Sequence, residues 1–219
     1  MRWITSAAIN LAALTTIALF YKSDAPSIEP SVSKISITEN SIDKRDKEYK
    51  KELMKLSVYS NTLEAYAKQN SFNTQYCFLI DMKLPSGRNR FFVYDIQKNA
   101  VLEEGLVAHG SGSDTGGQEL FFSNTPNSNC TSLGKYKIGV SYNGQFGLAF
   151  KLHGLDNTND KAYERAVVLH SHSCVPASEV EPAEICRSWG CPTVAPAFLT
   201  TLKTYLDKAG KPVLMWIFY

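Results

Sequence analysis

YCFLIDMKLPSGRNRFFVYDIQKNAVLEEGLVAH, residues 76–109, holds the pattern that decides the fold. Three apolar runs of strand length, YCFLIDMKL, RFFVYDI and VLEEGLVAH, are separated by PSGRN and QKNA, which carry the Pro, Gly and Asn of tight turns. Strands joined by links this short pair with their neighbours in sequence, so the stretch predicts antiparallel β structure.

The pattern continues on both sides. After residue 109 comes GSGSDTGGQELFFSNTPNSNCTSLG, too long and polar to be only a turn, and loops of that kind often carry function. Strands resume at KYKIGVSY, FGLAFKLHGL and RAVVLH, a helix is expected at PAFLTTLKTYLDKAG, and PVLMWIFY reads as a terminal strand. Upstream, residues 43–75 read as a helical segment without Gly or Pro, with Leu53, Leu56, Leu63 and Tyr66 near helical spacing. Residues 23–42, rich in Ser and Pro, read as a linker.

The first 22 residues carry Arg2, an uncharged stretch from Trp3 to Tyr21, and then Lys22, which is the layout of an export signal. The stretch is also about the ~20 residues that span a bilayer, so an uncleaved membrane anchor through residues 3–21 stands beside a cleaved signal. Either way the expected place is outside the cytoplasm, in the periplasm or cell envelope, with inner-membrane anchoring if the segment stays.

With 23 basic and 21 acidic residues in a chain of 219, the net charge of +2 shows no commitment to a polyanion, and nucleic acid is not an expected partner. The five cysteines would sit where disulfides persist, and an odd number leaves at least one thiol unpaired.

Two short segments carry chemistry. In RAVVLHSHSC, residues 165–174, an apolar strand runs from Arg165 into His170 and a polar loop; in CRSWGCPTV, residues 186–194, Gly190 lets the backbone turn closely beside Cys191. A cysteine nucleophile acts as thiolate, and an imidazole can take its proton and later return it to a leaving amine. A segment such as Ser188–Cys191 can also aim backbone N–H groups of Trp189 and Gly190 at an oxyanion. A zinc site is disfavoured by spacings that offer no C-x₂-C or H-x₃₋₅-H pair.

His170, then 17 residues, then Ser188-Trp189-Gly190-Cys191 resembles the active-site signature of the L,D-transpeptidases, the YkuD-like family of bacterial cell-wall enzymes. His172 also fits the spacing, but the family's histidine ends an apolar strand, which selects His170. The family has His where Trp189 stands; a subgroup, the murein L,D-transpeptidase catalytic-domain proteins, varies there and has Pro after the Cys. That subgroup is similar over LVAHGSGSDTG, FFSNTPNSNCTSLGKYKIG and LHGLDNTNDKAYERAVVLH, so the resemblance covers about residues 58–219.

The resemblance implies a mainly β catalytic domain over residues 76–219, an L,D-transpeptidase-like antiparallel sandwich or barrel with a preceding helix and a C-terminal helix. It implies Cys191 as nucleophile, His170 as acid and base, and Ser171 orienting the imidazole through its carbonyl. The substrates would be peptidoglycan stem peptides: acylation at the third-position diamino acid, release of D-Ala, and transfer to an amine, giving a 3-3 cross-link, or to water. No metal or organic cofactor is implied. A Cys-dependent L,D-carboxypeptidase or amidase, and an inactive peptidoglycan-binding module marked by Trp189, remain alternatives. His109, His172 and Arg187 are candidate substrate contacts. A disulfide between Cys174 and Cys186 would hold His170 near Cys191 and leave Cys191 free, while Cys77 and Cys130 are buried thiols or a second bridge.

Overall fold

The computed structural model describes residues 39–117 and 119–219, the side chains of 39–45 excepted. The segment read as signal or anchor and the linker up to residue 38 lie outside the described residues. Helix α1, Glu39–Asn70, starts inside the stretch read as linker and stops five residues before the expected end of the helical segment. Asn73 explains the earlier stop: its Oδ1 accepts from the N–H groups of Gln75 and Tyr76 and turns the chain into the first strand. Among the described residues no helix is long and apolar enough to cross a membrane.

The strands are β1 (Tyr76–Asp81), β2 (Phe91–Asp95), β3 (Ala100–Gly105), β4 (Val107–Ala108), β5 (Gly134–Gly144), β6 (Gly147–Gly154), β7 (Val168–Ser171), β8 (Thr193–Val194) and β9 (Leu214–Phe218), with helix α2 at Pro196–Lys208. They form one nine-stranded sheet in the order β3-β2-β1-β9-β5-β6-β7-β8-β4. The architecture is mainly β, as expected, and most pairs are antiparallel; β1 with β9 and β7 with β8 are parallel. The stretch read as one strand over 101–109 divides at Leu106 into β3 and β4, which are the two ends of the sheet order. One residue therefore links opposite edges, and the sheet must curl until those edges meet.

The apolar runs are nearly continuous because the strands of this half are covered on both faces. Phe78, Ile80, Phe91, Val93, Met215 and Ile217 face the main core, where Leu199 and Leu202 of α2 also lie. The alternate residues, including Cys77, Leu79, Phe92 and Tyr94, face a second core filled by Leu56, Leu63 and Ala67 of α1. Those three α1 positions are spaced seven and four residues apart, one stripe of the helix.

One strand begins later than its sequence suggests. Arg165–His170 reads as a continuous strand, yet Ala166 has φ +54, a left-handed conformation that breaks extended structure, and β7 starts at Val168.

Candidate active site

The parallel pairing of β7 with β8 sets His170 opposite Thr193. That register brings Thr193 Oγ1 to 2.9 Å from His170 Nε2, while the Ser171 carbonyl lies 3.2 Å from Nδ1. If Nδ1 donates to that carbonyl, Nε2 keeps its lone pair and accepts from the Thr193 hydroxyl. When Nε2 is protonated, it donates to the same oxygen, and the hydroxyl hydrogen can turn to the Cys191 carbonyl at 3.4 Å. Thr193 thus serves both protonation states without backbone movement.

Cys191 precedes β8 on a turn that only glycine can make at residue 190. Gly190 has φ +107, and a Cβ there would fall 2.7 Å from the Cys130 carbonyl oxygen. The Ser188 hydroxyl accepts from Gly190 N–H at 3.1 Å and donates to the Cys191 carbonyl at 2.7 Å, closing the turn on itself. Ser188 is pinned in turn to the chain after β4: its N–H donates to the His109 carbonyl at 2.9 Å, and its carbonyl accepts from Ser111 N–H at 2.7 Å. Because Gly190 N–H is committed to Ser188, the expected oxyanion role of Trp189 and Gly190 narrows to the neighbouring amides. Cys191 N–H has no acceptor among the described residues.

Cys191, His170 and Thr193 line one cavity of about 420 Å³, together with His172, Trp189 and Phe146. Phe146, on the turn between β5 and β6, stacks on the His170 ring at 5.2 Å. The Val168 N–H lies 3.5 Å from Cys191 Sγ and the Ala166 carbonyl 3.9 Å away; among the described contacts no hydrogen bond joins Sγ to the imidazole. Burial pushes the Cys191 thiol above its ordinary range, against the pull of the Val168 N–H and the Arg165 charge. Burial also holds His170 below its ordinary value, opposed by the Ser171 carbonyl and reinforced by His172. At neutral pH the resting pair is therefore a thiol beside a neutral imidazole, so a proton must leave the sulfur before it attacks.

The other expected site residues divide. Trp189 is 81% exposed at the cavity rim, and His172 lines the cavity with its Nδ1 accepting from Cys174 N–H at 3.1 Å. Arg187 lines it too, but its guanidinium is paired with Asp114 and with Glu184, so its charge is already matched within the protein. His109 does not line this cavity: it is 5% exposed, faces a separate cavity of about 380 Å³, and receives a hydrogen bond from buried Arg90 at 2.9 Å. Only its backbone carbonyl reaches the site, through Ser188. Cys174 and Cys186 form a disulfide with Cα atoms 6.0 Å apart, and Cys77, Cys130 and Cys191 are free thiols. Among the described residues no cluster of His, Cys, Asp and Glu is placed to hold a metal ion.

Thr193, Phe146 and Arg165 escaped the sequence reading. Thr193 alone had a local signal, a hydroxyl residue two positions after Cys191.

Comparison with known proteins places the chain in a family. The family model described as the L,D-transpeptidase catalytic domain matches residues 50–216, and the chain belongs to that family. Among solved structures it is similar to an L,D-transpeptidase from Mycobacterium smegmatis, at 13% identity over 66% of this chain and 59% of that one, with a TM-score of 0.40. It is also similar to the helical cell shape determining protein Pgp2 from Campylobacter jejuni (13% identity, 65% and 46% covered, TM-score 0.41). A third is an L,D-transpeptidase in complex with imipenem (13% identity, 66% and 59% covered, TM-score 0.39). The chain thus spans between 46% and 59% of the length of these structures. No curated protein matches it.

Proposed function

We propose that the chain is a cysteine acyltransferase acting on peptidoglycan stem peptides in the cell envelope. The observation that carries this reading is Cys191 and His170 on the wall of one cavity, held by adjacent strands, in a chain of the L,D-transpeptidase family. The Cys191 thiol loses its proton to the imidazole, and the thiolate attacks the carbonyl carbon of the third-position diamino acid. A C–S bond forms, the carbonyl oxygen takes the charge, and the Cys191 N–H, which has no backbone acceptor of its own among the described residues, is available to donate to it. Collapse breaks the C–N bond to D-Ala, and the imidazolium returns the proton to the departing amine. A second amine then displaces the sulfur to give a 3-3 cross-link, or water does so and trims the peptide.

The test is intact mass spectrometry of the full chain after incubation with imipenem, whose strained β-lactam acylates an activated thiolate. One adduct is expected on the wild type and none on Cys191→Ala. Folded protein that takes no adduct overturns the enzyme reading and leaves a peptidoglycan-binding module. Muropeptide digests then separate transfer from hydrolysis by whether cross-linked dimers or shortened peptides accumulate.

A further inference from the structure

The turn before β7 does more than start a strand. Arg165, partly buried, donates from Nη1 to the Ser123 carbonyl at 3.0 Å and to Ser132 Oγ at 3.2 Å, and from Nη2 to the Cys130 carbonyl at 2.6 Å. All these partners are neutral, and among the described residues no carboxylate pairs with this guanidinium. Such a charge is usually matched when it is withdrawn from water. Its location explains what it faces: a Cβ on Gly190 would stand 3.3 Å from Arg165 Nη2, so the missing side chain brings the cation close behind the residue preceding Cys191. Two of the three residues that follow Arg165 then reach the sulfur directly, Ala166 through its carbonyl and Val168 through its N–H.

We propose that Arg165 is the fixed positive charge that stabilises the thiolate of Cys191, acting across the gap left by Gly190. The proposal rests on the reading of Cys191 as nucleophile and names what compensates its charge. Arg165 is a positioning residue in this role, since it touches the sulfur only through the segment it begins and through its field.

The other ionisable groups around the sulfur do not supply that charge. His170 on β7 is held neutral by burial until it takes the thiol proton, so its charge comes and goes with the reaction and is not a fixed one, and His172 beyond it accepts a hydrogen bond from Cys174 N–H. The Tyr136 phenol on β5 is pushed up to about 12 by burial and bonds to Ser132. Arg187, on the turn leading to Cys191, is matched by Asp114 and Glu184. The Arg165 field also opposes the desolvation that raises the Cys191 thiol.

The experiment is the pH profile of Cys191 alkylation by iodoacetamide on the full chain, read by peptide mass spectrometry for wild type, Arg165→Gln and Arg165→Lys. Alkylation forms the C–S bond and releases iodide, and the thiol proton goes to solvent, so no acyl chemistry is involved. For Arg165→Gln the midpoint should move to higher pH and the rate at pH 7 should fall about tenfold, since a cation at short range favours a thiolate by that order. Arg165→Lys keeps the charge and loses the forked hydrogen bonds, and its midpoint should stay near the wild type even where melting shows lost stability. Equal midpoint shifts in both variants, or none in either, overturn the proposal.

If neither variant folds, the wild type decides. Iodoacetate should outpace iodoacetamide by several-fold relative to the same ratio on glutathione, because an unmatched cation attracts the anionic reagent. A ratio at or below that of glutathione overturns the proposal. Failure of imipenem acylation with an Arg165-dependent midpoint would sink the acyl-transfer reading and leave the charge assignment standing; the reverse pattern would do the opposite.

Discussion

Replacing both Cys174 and Cys186 by serine removes the bridge from the loop that joins His170 to Ser188. The cysteines are 12 residues apart, and closing a loop of that size in the unfolded chain corresponds to about 3 kcal/mol of stabilisation. The loop also has anchors of its own. Val180 and Glu181 donate N–H to the Gly87 carbonyl at 2.8 and 3.1 Å, and Ile185 N–H donates to Ser86 Oγ at 3.2 Å. Val175 and Ile185 are buried with Leu106, Ala108 and Ala195. The native loop should therefore keep its path without the bridge, and the loss should appear as stability rather than as a ruined site. Urea unfolding of the oxidised wild type and the double variant should show a midpoint lower by roughly 1 M, taking a slope of about 2–3 kcal/mol per molar. Imipenem acylation of the folded variant should continue at a rate within a few-fold of the wild type. A stability loss below about 1 kcal/mol would refute the loop-closure reasoning. A full loss of acylation in variant protein that is still folded would refute the independence of the anchors.

Two further outcomes follow from named groups. Burial, and then the charge of Arg90, hold His109 down to about 4 from its usual 6.5. The unfolded chain thus binds the proton first, and stability present above pH 6.5 is lost as pH falls towards 4, by about 3 kcal/mol in all. Gln at position 109 keeps an acceptor for Arg90 that does not titrate, so the stability difference between wild type and His109→Gln should shift by that amount between pH 7 and pH 4 in parallel urea titrations; parallel curves would refute the assignment. Thr193→Val removes the hydroxyl that meets His170 Nε2 in both protonation states, and the rate of imipenem acylation should fall about tenfold with little change in melting temperature; an unchanged rate would show that the hydroxyl does not steer the imidazole.

How far the sequence reaches depends on whether a feature is local. The strand-length apolar runs at Tyr76–Asp81 and Phe91–Asp95, and the turn residues between them, are local, and they specify an antiparallel hairpin whatever the rest of the chain does. The spacing from His170 to Cys191 is local as well, and both residues open on the same cavity. Nothing local says that β9 inserts between β1 and β5, because that place is set by which neighbours can cover both faces of Leu214–Phe218. The division at Leu106 has the same origin: VLEEGLVAH has a strand's composition throughout, and only closure of the sheet demands that it serve both edges. His109 shows the limit from the opposite side. A histidine at a strand end can face the cavity or the interior, and the choice was made by Arg90, 19 residues away in sequence, whose buried guanidinium needs an acceptor there. Arg165 is the reverse case. Its sequence neighbours offer carboxylates that would make it an ordinary surface ion pair, whereas the fold turns it inward to carbonyls from residues 123 and 130 and leaves its charge unmatched behind Gly190. In both residues the sequence supplies an ionisable group, and the long-range packing decides whether its charge is suppressed or put to use.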